Sequence, residues 1–394
     1  MKRLRTWAWG LIGVAFVVGV LRAFFFGVYY VDSPSMEPTL HGADAGGDWV
    51  LVRYGRGDTI QRYDLVVIVP DGESEPYVKR VLGLPGELVE LRGGDLWIDD
   101  RIHRSEAGLP VPITIFDDTR HDFAVDWRLG ERWSAGEAGW ELDASDVPSG
   151  AAAGLAFLRL GLSDHFDVPG VGRAEGRVDV ADGRLEFDVE VLSGAFVLRA
   201  GLRERGDEFE VRIDPGTDGP GRLTLLRRSP AGDEELGAAE VGFGAGRHRI
   251  GFENVGDLLV VELDGHRVLE RAYDGNRFHP RDDAKSGMSL PTDRIFLGGR
   301  GGRARFSGIR VLRDLHYTPR GEFAVQEALQ LGPDELFLLG DNSRDSRDGR
   351  DWGPTPLSAV VGRPLRVLWP LERARALMGE AAAADEVVGH PESP

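Results

Sequence analysis

The chain has 394 residues, a formal charge of −18 and no cysteine. Disulfides, thiolate metal sites and cysteine nucleophiles are therefore excluded, and so acidic a balance argues against a nucleic-acid surface. The length allows two or three domains with their own cores.

Lys2, Arg3 and Arg5 precede a mostly apolar run from Thr6 to about Val28, broken once by Arg22. A helix needs roughly 20 residues to cross a bilayer, so residues 1–28 read as a transmembrane anchor. Trp7 and Trp9 at one end, with Phe24–Phe26, Tyr29 and Tyr30 at the other, suit two interfacial belts. The positive N-terminus predicts N-inside topology. A cleaved signal peptide is the rival reading, but no small-x-small pattern precedes the bulky aromatics. After the run comes SPSMEPTL, residues 33–40, where two prolines hold Ser35 in a constrained turn.

From Asp48 to Ile102, WVLVRYG, DLVVIV and ELVELRGGDLWIDDRI carry alternating and β-branched apolar residues separated by Gly and Asp turns, which predicts strands. Residues 108–316 again read as all-β. LEFDVEVLSGAFVLRAGL, DEFEVRID, RLTLLRR, LLVVELDGHRVLERAYD and ARFSGIRVLRDL are spaced as in a β-sandwich. Residues 317–374 return to the first style, with the apolar strand ELFLLG entering a polar loop, and 375–394 read as a flexible tail.

Only Lys2, Lys79 and Lys285 are lysine in an arginine-rich chain. This matters because arginine cannot give up its proton in proteins and lysine can. Lys79 lies in YVKRVLGLPGE (residues 77–87), an apolar strand pattern in which position 80 is arginine. Lowering a buried lysine from about 10.4 to about 8 takes roughly 3 kcal/mol, which desolvation supplies. A neutral amine beside a hydroxyl can take its proton and make serine a nucleophile without histidine. The alternative is a surface lysine on an edge strand. His41 reads as a solvated loop residue, and His121, His248, His266 and His279 lack metal-ligand spacing. A Ser-His-Asp triad assembled in space is a further alternative. The third informative stretch is LFLLGDNSRDSRDGRDWGPTP, residues 336–356, whose Asp, Asn, Ser and Arg side chains suit a bridged loop. Ser346 within it can orient a neutral lysine.

These stretches, in this order behind an apolar N-terminus, resemble the type I signal peptidases, membrane-bound serine proteases with a Ser/Lys dyad. SPSMEPTL resembles the family's serine box, YVKRVLGLPGE its lysine box and GDNSRDSRDGRDWG its C-terminal box. The resemblance covers residues 1–105 and 317–370. It implies Ser35 as nucleophile, Lys79 as general base, Ser33 as oxyanion donor with the Ser35 N–H, and Ser346 as the residue placing the amine. Asp341, Asp348 and Arg350 match structural positions around the site, and Met36 matches a residue near the substrate cleft. Pro34 stands where glycine is common, Asp32 where proline is common, and Gly349 and Asp351 replace a serine and an aromatic residue. No cofactor and no metal is implied.

The implied fold is mainly β: an N-terminal transmembrane helix (1–28) and a signal-peptidase-type catalytic domain (29–107 and 317–374). That domain is split by an inserted β-sandwich (108–316). The implied partners are preprotein signal peptides, read as Ala-x-Ala, and the lipid bilayer, with no nucleic acid. The implied location is a single-pass protein of the plasma membrane with its N-terminus cytoplasmic and its catalytic domain outside. The insert resembles concanavalin-like jelly rolls and would serve a glycan or protein partner. Its Asp117-Asp118 and Asp282-Asp283 pairs read as solvated turns or as calcium ligands. The competing function is an anchored scaffold, catalytically idle or specialised, that displays the sandwich.

Overall fold

The structure, a computed structural model, describes Gly19 and residues 25–377 apart from 56–59, 71, 73, 106–107, 149–151, 169, 175, 177, 205, 217–218 and 276–292. It divides into two compact units. One takes in residues up to 103, 168–172 and those from 317 on; the other comprises 104–167 and 173–316.

The first unit is built on an antiparallel sheet. Its strands run in the order Phe26–Tyr30, Trp49–Tyr54, Val360–Trp369, Leu65–Ile68, Tyr77–Gly83, Glu335–Leu339 and Thr355–Pro356. Leu65–Ile68 is apolar throughout and buried on both faces, as a central strand must be. The strand carrying Lys79 lies between it and Glu335–Leu339, with Val66 opposite Lys79 and Leu338 opposite Val81. Residues about 260 positions apart are thereby hydrogen-bonded neighbours. Met36, Leu40, Val50, Val52, Leu65, Val67, Val367 and Leu377 fill one core cluster, and Val66, Ile68, Val81, Leu336, Leu338 and Val360 another. A smaller sheet pairs Leu329–Gln330, Leu88–Arg92, Asp95–Ile98 and Arg101–Ile102.

Two expectations need correcting at their edges. Residues 26–28, counted in the anchor, begin a strand in which Phe26 faces Arg53 and Tyr30 faces Trp49. An apolar run does not by itself separate a helix end from a buried strand. The rest of the expected anchor lies outside the described residues save Gly19 and Phe25, and among the described residues no helix is long and apolar enough to cross a membrane. The tail begins later than position 375, because Arg375–Ala376 pairs with Val360–Trp369 and Leu377 is buried. Residues 378–394 lie outside the described residues.

The second unit is all-β apart from short turns such as Phe123–Asp126. Its long strands Gly183–Glu204 and Ile295–Arg313 pair antiparallel along most of their length. Alternate residues Leu185, Phe187, Val189 and Val191 enter the core beside Ile250, Phe252, Phe306 and Val311. The intervening Glu186 and Asp188 lie on the other face, where they meet Arg184, Arg249 and Arg247.

Candidate active site

Ser35 sits in a 3-10 turn, Pro34–Met36, with Ser33 just before it in extended conformation. Proline suits the first position of such a turn because that position needs no N–H donor. The Pro34 carbonyl accepts the Glu37 N–H at 3.0 Å and the Asn342 side-chain amide at 3.1 Å. The Asn342 backbone N–H reaches the Ser35 carbonyl, also at 3.1 Å. One asparagine therefore grips the serine turn twice. Gly340 makes this approach possible, since a Cβ there would lie 2.1 Å from Ser346 Oγ and 2.5 Å from the Ser35 carbonyl.

Lys79 Nζ lies 3.0 Å from Ser35 Oγ and 3.3 Å from Ser346 Oγ, and Ser33 Oγ is 3.1 Å from Ser35 Oγ. Lys79 is 1% exposed and Ser35 9%. Burial pushes the amine down to about 8, against the pull of Asp348 and Asp341 and with the help of Arg350. The Ser346 hydroxyl also hydrogen-bonds Asp348. A carboxylate only accepts, so Ser346 spends its proton there and its contact with Lys79 is an N–H donated by the amine. That leaves the nitrogen lone pair of a neutral Lys79 free to face Ser35.

Behind the lysine stand two buried ion pairs. Arg350 Nε and Nη2 meet Asp348 at 2.9 and 2.8 Å, and both side chains are fully buried. Burial opposes the Asp348 charge, yet the hydrogen bonds and charge of Arg350, with the Gly340 N–H and Ser346, hold its carboxyl below the usual range. Arg80 Nε and Nη2 meet Asp341 at 2.7 and 2.5 Å, and Thr39 also hydrogen-bonds Asp341. Neighbours on a strand point to opposite faces, so Lys79 and Arg80 serve different clusters.

Ser33, Ser35, Lys79, Ser346, Asp348 and Arg350 thus form one connected network, while Asp341 belongs with Arg80 and Thr39. Met36 does not join it: its side chain is buried in the core beneath the turn. His41 is not a solvated loop residue as expected. It is buried, with its N–H on Asp48 at 2.9 Å and its ring 3.9 Å from Glu37. Among the described residues no histidine hydrogen-bonds the Ser35 hydroxyl. In the second unit His121 meets Asp167 at 2.8 Å and His248 meets Asp264 at 3.0 Å. Asp117 is taken up by Thr119 and Asp118 by the Ile309 N–H, as in an ordinary turn. Asp282 and Asp283 lie outside the described residues, among which no group of three or more His, Asp and Glu is placed to hold a metal. Thr39, Arg80, Thr318, Gly340, Asn342 and Ser343 were not singled out from the sequence. Arg80 alone had a signal, a second basic residue in an apolar strand.

The family model described as "Signal peptidase, peptidase S26" matches residues 4–111 and 308–369. The Signal peptidase I of Bacillus caldolyticus is 37% identical over 184 residues, covering 45% of this chain and 90% of the relative. This chain belongs to the signal peptidase family. Signal peptidase I of Bacillus amyloliquefaciens is 37% identical over 95 residues, covering 24% of this chain and 49% of the relative. Signal peptidase I S of Bacillus subtilis is 36% identical over 101 residues, covering 25% and 52%. These two matches span about half the length of the relatives. Residues 112–307 fall outside the signal peptidase match. A carbohydrate binding module, CBM66 from Bacillus subtilis, aligns over 47% of this chain and 93% of its own at 12% identity, with a TM-score of 0.30.

Proposed function

We propose that this signal peptidase family member is a serine endopeptidase that removes signal peptides from exported preproteins at small-x-small sites. The observation that carries the reading is the buried Lys79 amine 3.0 Å from the Ser35 hydroxyl. Ser35 Oγ attacks the scissile carbonyl carbon as its proton passes to neutral Lys79. Ser33 and the Ser35 N–H donate to the oxyanion, a contribution of about 3 kcal/mol per donor in comparable hydrolases. Lys79 then protonates the departing amine, so the peptide bond breaks and leaves an acyl-serine. The neutral lysine next takes a proton from water, which attacks the ester and releases the acid. Retention of both dyad members counts against an idle scaffold.

We further propose that the N-terminal apolar run anchors the chain in the plasma membrane, N-terminus inside, with the site outside. Exposed Tyr30, Trp49 and Trp369 support this, since they are cross-strand neighbours, and Leu371 beside them is 70% exposed. Aromatic side chains of this kind favour the headgroup layer. Residues 108–316 are read as an inserted β-sandwich for a glycan or protein partner, supported by their large aromatic-rich core. The test is cleavage of purified preproteins by Ser35→Ala and Lys79→Arg variants. Both should be inactive; substantial turnover by Lys79→Arg, which keeps the charge but cannot give up a proton, would overturn the dyad.

A further inference from the structure

We propose that Thr318, in the segment 317–323 that follows the second unit in the chain, is a positioning residue for the Lys79 amine. This rests on the Ser/Lys reading above. The Thr318 N–H donates to Ser343 Oγ at 2.8 Å, and its own hydroxyl lies 3.1 Å from the same oxygen. Arg350 Nη1 donates to both the carbonyl and the hydroxyl of Thr318 at 3.1 Å each, and also to Ser343. One threonine therefore fixes the guanidinium that fixes Asp348, which takes the Ser346 proton and turns that oxygen toward Lys79.

The rest of the segment grips the same loop. Glu322 and Phe323 donate their N–H groups to the Arg350 carbonyl at 2.8 and 3.1 Å. A Cβ on Gly321 would lie 2.6 Å from that carbonyl, so only glycine permits the approach. Arg320 hydrogen-bonds the Ser346 carbonyl, the backbone of the residue whose hydroxyl receives the lysine. Arg350 is thus held at its backbone and at its side chain by one short stretch. A general base misplaced by about 1 Å costs on the order of 100-fold in rate, so slack here reaches the chemistry without touching substrate.

The test compares Thr318→Val, which keeps the shape and loses the hydroxyl, with Thr318→Ser, which restores it. Peptide cleavage is measured from pH 6 to 10, with Ser35→Ala as the control and melting temperature as the check on folding. Thr318→Val should lower kcat about tenfold with KM within about twofold of the parent. It should also move the acidic limb of kcat/KM upward by half a unit or more, because a loosened loop rehydrates the ammonium. Thr318→Ser should return both to the parent values. Unchanged kcat and limb in Thr318→Val would overturn the proposal, as would equal losses in both variants accompanied by a fallen melting temperature. Full cleavage by Ser35→Ala would instead overturn the Ser/Lys reading itself.

Discussion

The pH dependence of cleavage tests the buried lysine most directly. Burial brings Lys79 to about 8, well below the ordinary lysine value of 10.5, and only the neutral amine can take the Ser35 proton. About one molecule in eleven is then competent at pH 7 and about ten in eleven at pH 9. Below pH 8, kcat/KM should fall tenfold per unit; from pH 7 to pH 9 it should rise about tenfold, then level. A lysine left at its solution value would be neutral in only about one molecule in 3,000 at pH 7, a deficit of roughly 3 kcal/mol. The assay is initial-rate hydrolysis of a fluorogenic peptide with a small-x-small site, run from pH 6 to 10 at constant ionic strength. A midpoint near 6.5 would mark a histidine, and one near 10.5 a solvated lysine. Either would refute the argument from burial.

Three further outcomes follow from the same contacts. Because the Lys79 value is lowered on folding, its cost to stability is full below about pH 8 and fades as pH rises toward 10.5. Lys79→Met should abolish cleavage yet stabilise the protein at pH 7 by on the order of 3 kcal/mol, with the advantage shrinking in chemical denaturation above pH 8. Asp348→Asn leaves the fully buried Arg350 without its counter-charge and should cost about 3–5 kcal/mol in urea unfolding. Replacing residues 108–316 by a short Gly-Ser linker should leave peptide cleavage within a fewfold of the full chain, if the insert serves docking. Loss of folding would make it structural.

The strands were legible because apolar residues alternate in them, as in LEFDVEVL, and because Leu65–Ile68 is an unbroken apolar run. The meeting of Lys79 with Ser35 was legible through the scarcity of lysine and through motif resemblance, neither of which depends on the fold. What escaped is long-range. Arg80 and Asp341 are 261 positions apart, and Asn342 meets Pro34 across 308. No local pattern announces such pairs, since side-chain bonds form in space. His41 looked solvated because its neighbours are Gly, Asp and Ala, but the loop folds against the sheet and its N–H is taken by Asp48. Phe26–Val28 was misassigned for the opposite reason, as apolar residues suit a bilayer and a strand equally.

In the second unit, Ile113–Asp117 is paired with the end of Ile295–Arg313: Ile113 lies opposite Arg313, and the Val111 N–H reaches Asp314 at 3.0 Å. The two ends of the interruption are therefore about one strand spacing apart, near 5 Å. This bears on the order of folding. Pairing Tyr77–Gly83 with Glu335–Leu339 across an unfolded stretch of this length costs roughly 2–3 kcal/mol more in loop entropy than across about ten residues. Once the second unit has folded, its ends already lie side by side, the open stretch shrinks to about 50 residues, and roughly half of that excess is removed. The intruding sequence then counts as a single short link, so the lysine strand and the loop that receives it meet across about 50 residues instead of about 250.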